Sequence, residues 1–307
     1  MKIIAVGHVS IDHVNSDNTW VEQIGGAATY TAMAAKFFSD VGIVSRVGID
    51  FPSTFYHALE KAGINISGLK KVKGKSANFK IQYDENGVSK YDIYNLNVGT
   101  HIRPEDIPNN YLHSDAIHLA PMAATKQGHF IEFLREKTKA SISMNTHIGY
   151  FSRYRKNIME LIPKVDIFTM NEEEAMALTQ QKTLSHSLNV LKKKEHTLVI
   201  ITTGPGLSII LERGDITVSH TQNQAQVVDL TGCGDAYAGA FISSMLHTKD
   251  STKSANIASS VASIVASDWN IQAIKNLKFK SIIAFQEYII ARQRESKELQ
   301  QSIEHYL

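Results

Sequence analysis

Short apolar runs rich in Val and Ile recur between longer amphipathic stretches: Lys2–Val6, Val41–Val47, Ala116–Leu119, Ser141–Met144, Val165–Thr169 and Leu198–Thr202. Strands that are apolar on both faces and alternate with helices belong in a parallel sheet covered on either side, so the pattern predicts an α/β fold. Two segments break the rhythm. Asn78–Tyr83 and Ser89–Tyr94 alternate polar and apolar residues around Asp84-Glu85-Asn86-Gly87, an acidic Asn-Gly turn that predicts a β-hairpin. Joined by the stretch around Asn15–Gln23, this hairpin is expected to form a small sheet lying over the main body as a lid. A second ribbon is expected over Leu207–Leu211 and Ile216–His220. The last third reads as helices over Asp235–His247, Thr252–Ser267 and about Lys280–Gln301, the last ending in a charged run from Arg292 that reads as a solvated face. No repeat or low-complexity linker divides the chain.

Thirty-two Lys and Arg against thirty Asp and Glu leave a formal charge of +2, without the dense basic tract that tracks a phosphate backbone, which argues against a nucleic-acid partner. A single cysteine, Cys233, excludes an intramolecular disulfide framework. The start MKIIAVG runs straight into a strand pattern, and no apolar run reaches the roughly 20 residues that span a bilayer. The expectation is a cytoplasmic protein without a membrane partner. Thirteen histidines lie scattered without metal-ligand spacing.

The richest chemistry lies in Val228-Asp-Leu-Thr-Gly-Cys-Gly-Asp-Ala-Tyr-Ala-Gly-Ala-Phe241. Gly232 and Gly234 allow a tight loop directly ahead of a helix, and backbone N–H groups at a helix start converge on an anion. Asp235 stands at that same start, where a carboxylate is awkward unless it takes a proton from an attacking hydroxyl. A phosphate cradle beside a base describes phosphoryl transfer. The same residues also describe an ordinary Gly-rich turn with a stabilising first-turn aspartate.

The segment Asp229-Leu-Thr-Gly-Cys-Gly-Asp235 resembles the C-terminal signature of the ribokinase (PfkB) family of carbohydrate kinases, whose usual form is Asp-Thr-x-Gly-Ala-Gly-Asp. The resemblance implies Asp235 as catalytic base and the amides of Gly232, Cys233 and Gly234 as the anion hole. Leu230 and Cys233 depart from the usual residues, and an anion hole built on amides tolerates the second change. Gly25-Gly26-Ala-Ala-Thr-Tyr30 is similar to the family's N-terminal signature, with Tyr30 where members usually carry Asn. A tyrosine there would stack on the acceptor or shorten its pocket. Asp12 matches the aspartate that holds the acceptor, and Ser10 stands where ribokinase has Asn. Asn171 and Glu174, in Asn171-Glu-Glu-Glu174, resemble the Asn-x-x-Glu motif that organises hydrated Mg2+ and phosphates, although a capped helix with an acidic first turn reads the same.

Thr202 and Gly204 resemble the nucleotide loop, with the second glycine, Gly206, one position early, and Asn256 stands in the helix where members approach adenine. Several members bind K+ through residues matching Asp229 and Thr231 and the carbonyls of a later glycine-bearing loop. Here that loop, Ser267–Ala273, has no glycine, which weighs against a potassium site.

The resemblance runs from Gly7 to about Ala273 with the motifs in family order. It implies residues 1–307 as one ribokinase-like kinase domain, a three-layer α/β sandwich with a mostly parallel central sheet and a small β-sheet lid from insertions near 15–23 and 77–98. ATP and Mg2+ are the implied cofactors, with a homodimer through the lid as a further expectation. Ser10, Asp12, Gly25, Gly26, Tyr30, Asn145 and His147 suggest a small polar acceptor pocket without a basic cluster, so a neutral sugar or inositol is expected, with a nucleoside as the alternative. A nucleotide- or sugar-binding regulator without turnover stays open, motivated by Tyr30, Leu230 and the loop at Trp269. A dinucleotide-dependent dehydrogenase lacks its Gly-x-Gly-x-x-Gly after the first strand.

Overall fold

The computed structural model describes residues 1–16, 19–83, 89–193, 197–204, 206–221 and 227–292. The chain opens with β1 (Lys2–Val6), the paired strands β2 (Ser10–Ser16) and β3 (Thr19–Gly25), and helix α1 (Ala27–Ala35). It continues through β4 (Asp40–Val47), α2 (Ser53–Lys61), β5 (Ile64–Lys71), β6 (Ala77–Tyr83) and β7 (Ser89–Asn95). Next come β8 (Ala116–Leu119), α3 (Ala124–Lys137), β9 (Ser141–Asn145), α4 (Phe151–Leu161), β10 (Ile167–Asn171), α5 (Glu172–Thr179) and α6 (Leu184–Leu191). The last third holds β11 (Leu198–Thr203), β12 (Leu207–Glu212), β13 (Asp215–His220), α7 (Cys233–Thr248) and α8 (Ser251–Ala266), followed by a helical stretch over 282–292.

Nine strands form one sheet in the order β13-β12-β11-β10-β9-β8-β1-β4-β5, parallel from β11 to β5 and closed at the other end by the antiparallel ribbon β12–β13. The strands are sandwiched as their sequence demands. In β1, Ile3 and Ala5 enter the core shared with α1, α7 and α8, whereas Ile4 and Val6 enter the opposite core shared with α3, α4 and α5. The period-2 alternation of a strand thus feeds two apolar layers from one run of Val and Ile. The three-layer architecture expected from the sequence is the one observed. From β1 the chain builds outward through β4 and β5, then returns to β8 on β1's other side and builds away from it. That reversal creates a crevice at the carboxyl ends of β1 and β8, the place where open α/β sheets bind ligands.

Four further strands form a separate sheet in the order β3-β2-β6-β7, with Val14, Phe79 and Ile81 as its apolar cluster. The expected hairpin is β6–β7; its Asp84–Gly87 turn lies outside the described residues. The stretch expected near 15–23 is larger than anticipated, because Ser10–Ser16 and Thr19–Gly25 pair along their whole length. One other expectation needs correction, and one strand escaped the pattern. The strand placed at Val165–Thr169 runs from Ile167 to Asn171, a short 3-10 turn at Pro163 having claimed its start. Strand β5, Ile-Asn-Ile-Ser-Gly-Leu-Lys-Lys, was not anticipated: polar, glycine-bearing and on the sheet edge, it joins β4 through a register shift where the Tyr111 hydroxyl donates to Asn65 O at 2.8 Å. The expected final helix is seen from 282, and its portion beyond 292, with the charged run that follows Arg292, lies outside the described residues.

Helices α1 and α7 pack backbone against backbone beside the site. A Cβ on Gly239 would come within 2.1 Å of Thr31 O, so α7 reaches the backbone of α1 only because position 239 has no side chain. Thr31 Oγ1 then donates to Asp235 O at 3.2 Å, and Ser243 Oγ donates to Ala35 O at 2.9 Å. Alanine favours a helix over glycine by about 1 kcal/mol, but here the clash is with backbone and no rotamer relieves it. Gly239→Ala is expected to cost a net of about 1–2 kcal/mol in unfolding free energy, read from urea denaturation. A more stable variant would show that the two helices are free to separate.

Candidate active site

The loop ahead of α7 is fixed before any ligand arrives. Val228 and Asp229 donate their N–H groups to Ala266 O at 2.7 and 3.2 Å. The buried Asp229 carboxylate accepts Thr231 N–H at 2.7 Å through one oxygen and Asn270 N–H at 3.2 Å through the other. Gly232 caps α7 with φ 74°, the left-handed region, and a Cβ there would come within 2.3 Å of the Tyr30 ring. Glycine is therefore required twice at this position, for backbone geometry and for contact. Tyr30, 2% exposed, lies under the loop as a support. Cys233 N–H already turns back to Leu230 O at 3.3 Å, whereas Gly234 is exposed with open space about it.

Asp235, in the first turn of α7, accepts the Asn145 amide Nδ2–H at 2.8 Å on Oδ1. Burial pushes its carboxyl up to about 6, with the Asn145 bond working in the opposite direction. Asp12, on β2, accepts Ser10 Oγ–H at 2.6 Å and packs against the bare backbone of Gly25. Its carboxyl is raised to about 7 by burial, opposed by the Ser10 bond and reinforced by the charge of Asp229. Asn171 and Glu174 form a reciprocal capping box on α5, Glu174 N–H donating to Asn171 Oδ1 at 2.7 Å and Asn171 N–H to Glu174 Oε2 at 3.0 Å. Glu174 is raised to about 7, first by burial and then, after the opposing Asn171 bond, by the negative charge of Asp235.

Two cavities meet at the loop. The larger, of about 480 Å³, has Asp12, Gly26, Tyr30, Thr231, Gly232 and Asp235 at its base and His8, Phe79, Ile81, Tyr94, His147 and Tyr150 around it. The smaller, of about 200 Å³, is lined by Thr202, Gly204, Leu230, Cys233, Gly234 and Tyr237 among others. The loop from Leu230 to Asp235 lines both: Thr231, Gly232 and Asp235 face the larger cavity, and Leu230, Cys233 and Gly234 the smaller.

The sequence-derived candidates thus sort by position. Ser10 and Gly25 hold Asp12 rather than lining the cavity, and Asn145, expected at the acceptor, is bonded to Asp235. Asn256 lines neither cavity: half-buried on α8, it accepts Ser219 Oγ–H at 2.6 Å and Thr221 Oγ1–H at 2.9 Å, tying the helix to the end of β13. The polar pocket anticipated from the sequence is instead walled by Phe79, Ile81, Tyr94 and Tyr150. The alternation of β6 carried that signal, since Phe79 and Ile81 fall on one face. His8 and His118 were also missed, the latter a fully buried ring on β8.

Among the described residues no group of three or more His, Cys, Asp and Glu is arranged to hold a metal ion. The donor set fits a cation that brings most of its own ligands, as Mg2+ does when it arrives with waters and nucleotide phosphates. The negative charge of Asp235 adds to the rise at Glu174, and a cation bound beside Glu174 would offset it.

Comparisons with known proteins agree with this architecture. The profile of the pfkB family carbohydrate kinases matches residues 2–275. The cytidine kinase of Thermococcus kodakarensis is 28% identical over 253 residues, 79% of this chain and 87% of the relative. The ATP-dependent 6-phosphofructokinase of Thermoanaerobacterium thermosaccharolyticum is 24% identical over 265 residues, 80% of this chain and 81% of the relative. The solved nucleoside kinase of Burkholderia thailandensis in complex with inosine shares the fold with a TM-score of 0.78 at 14% identity, over 95% of this chain and 97% of that one.

Asp12 and Glu174, 3% and 6% exposed, hold a proton more tightly folded than unfolded. Their protonated forms favour the fold at low pH, and that advantage is lost as pH rises from the unfolded value near 4 through about 7. The unliganded protein is expected to lose stability between about pH 4 and pH 7, by up to about 1.4 kcal/mol per pH unit for each carboxyl. Asp12→Asn should flatten its share of that slope in urea titrations across the range, and a pH-independent wild type would rule the account out.

Proposed function

The chain belongs to the pfkB family of carbohydrate kinases, and on that premise we propose that it transfers the γ-phosphoryl group of ATP to a hydroxyl of a nucleoside, with Asp235 as the general base. The observation that carries the choice of acceptor is the larger cavity, whose base is polar and whose walls are aromatic and aliphatic. A sugar or inositol would engage Asp12 and Asp235 and leave Phe79, Tyr94 and Tyr150 facing water. A nucleoside uses both parts, its ribose on the carboxylates and its base against the rings. The cytidine kinase relative supports the same choice. A phosphorylated sugar, the acceptor class of the phosphofructokinase relative, calls for Arg or Lys, and none lines the cavity among the described residues.

In this reading Asp12 holds the ribose hydroxyls. Asp235, its Oδ1 occupied by Asn145, presents the other oxygen to the attacking hydroxyl and accepts its proton. With a carboxyl near 6 it is mostly ionised at neutral pH yet basic enough to take that proton. The amides at Gly232 and Gly234 receive the transferred group, and Thr202 and Gly204 line the nucleotide side. Mg2+ bound with ATP supplies positive charge against the developing phosphoryl charge; Asn171 and Glu174 would hold it through water. Asp229 and Thr231 remain the candidates for a monovalent cation. The small sheet, which carries Phe79, Ile81 and Tyr94, acts as the lid that excludes water as a competing acceptor. Trp20 and Val21, exposed on its edge strand β3, are the surface through which a second copy would pair. Among the described residues no helix is long and apolar enough to cross a membrane.

The test is coupled ADP release with Mg-ATP against nucleosides, pentoses, hexoses and inositols. A nucleoside is expected to be the best acceptor, Asp235→Asn to lower kcat about 10²- to 10⁴-fold, and Phe79→Ala to raise nucleoside KM about tenfold through lost stacking. A sugar or inositol as best acceptor would overturn the choice of substrate, and transfer undiminished in Asp235→Asn would overturn the mechanism.

A further inference from the structure

Asp235 is held by a chain of buried groups that the family resemblance does not assign. His118 on β8 pairs in register with Ser143 on β9, and Asn145 follows two residues later, so all three side chains fall on one face of the sheet. His118 Nδ1 lies 3.0 Å from Ser143 Oγ and Nε2 lies 3.1 Å from Asn145 Oδ1, while Asn145 Nδ2 lies 2.8 Å from Asp235 Oδ1. Gln127 Nε2–H, donating to Asn145 O at 3.0 Å, fixes the asparagine main chain as well.

The chemistry of these groups admits one direction of donation. An ionised carboxylate only accepts, so the Asn145 NH2 must face Asp235 and its carbonyl oxygen must face His118. That oxygen also only accepts, so His118 carries its proton on Nε2. The neutral ring then offers Nδ1 as the acceptor for Ser143 Oγ–H. His118 is 0% exposed, and burial holds its pKa down at about 4, so the ring stays neutral over the working range. If the asparagine amide turned over, it would present oxygen to the carboxylate.

We propose that His118, as the neutral Nε2-protonated tautomer, is a positioning residue that locks the Asn145 amide with its NH2 on Asp235 and so directs the other carboxylate oxygen toward the acceptor. The proposal rests on Asp235 being the base. The other titratable groups about Asp235 are Glu174 from α5, Cys233 in its own helical turn, and Asp12, His8 and His147 across the cavity. None of them is altered by substitutions at His118.

The test uses the full-length unliganded protein first. The 15N resonances of the His118 ring, assigned by their loss in His118→Gln, are expected to show a protonated Nε2 and a bare Nδ1 from about pH 5.5 to pH 8. The opposite tautomer, or a cation in that range, overturns the proposal. In His118→Phe, the Asp235 carboxyl titration followed by 13C NMR is expected to move upward, because the charged form loses an oriented donor. Against the acceptor that the wild type uses, His118→Phe should lower kcat about 10- to 100-fold with acceptor KM nearly unchanged, and move the acid limb of the kcat/KM profile upward. His118→Gln keeps an N–H donor for Asn145 and should restore most of the loss. A fall in kcat with no change in either titration, and no rescue by glutamine, would assign His118 to packing alone. If the wild type transfers phosphoryl to none of the acceptors, the kinase reading fails, and the two NMR measurements still decide whether His118 orients Asp235. If His118→Phe does not fold, the wild-type tautomer and His118→Gln carry the decision.

Discussion

The site depends on how closely α7 can approach α1. The start of α7 carries the glycine-rich turn and Asp235, and its position is set where Gly239 meets the Thr31 carbonyl with no side chain between. From that contact follow the Thr31 bond to the Asp235 carbonyl and the seating of Gly232 on the Tyr30 ring. Neither helix has a strong apolar stripe; α1 and the 236–244 stretch of α7 are buried nearly all round, and small residues stand where the backbones approach. Packing between two helices therefore does what a flexible loop alone cannot, since a loop residue displaced by an ångström misplaces a reacting atom by as much.

Within that frame the governing term is electrostatic. Three carboxyls, Asp12, Asp235 and Glu174, are each raised above the ordinary range, in every case chiefly by burial. A fold that spends stability on concentrating unneutralised acids has a reason to do so when bound cations or transferred protons repay it. The contrast with Asp106 supports this. Also buried, Asp106 is met by Arg46, Lys70 and the Arg103 N–H, and those bonds overcome burial and hold it below the usual range. A carboxylate serving structure is given its cations by the chain. Around the larger cavity, the chain supplies a serine to Asp12 and an amide to Asp235.

Where side-chain pattern sets the element, the sequence was legible. The β1 and β8 runs were placed to the residue, and the ribbon β12–β13 and helices α7 and α8 to within one or two residues. Strand β5 was hidden because its interior holds Gly68 and its outer residues are polar, leaving tertiary pairing with β4 to make it a strand. In the site, residues recognised by their own motif, such as Asp12 and Asp235, lie at the cavity, while the roles of Asn145 and His118 depend on strand register. Nothing local distinguishes His118 from a core histidine; the pairing of β8 with β9 gives it Ser143 on one side and Asn145 on the other. Asn256 shows the converse: a helical asparagine assigned by position alone is saturated by Ser219 and Thr221.

The loop near Trp269 bears on whether departures from a signature mean departure from its chemistry. Its lack of glycine weighed against a potassium site and helped motivate a reading without turnover. In the structure Asn270 takes φ 54°, the left-handed conformation that a glycine would supply and that asparagine tolerates better than other residues with a side chain. Its N–H reaches Asp229 and its side-chain amide donates to Ile24 O at 2.7 Å, joining the loop both to the glycine-rich turn and to the end of β3. The backbone path is thus kept by a different residue, with an added tie. Leu230 and Cys233 fit the same account, since both line the smaller cavity beside a turn whose conformation is set by Asp229, Gly232 and Tyr30. Where main-chain groups do the chemistry, identity can drift as long as φ, ψ and contact survive. The departures at Leu230, Cys233 and the loop near Trp269 therefore do not by themselves argue for a silent regulator.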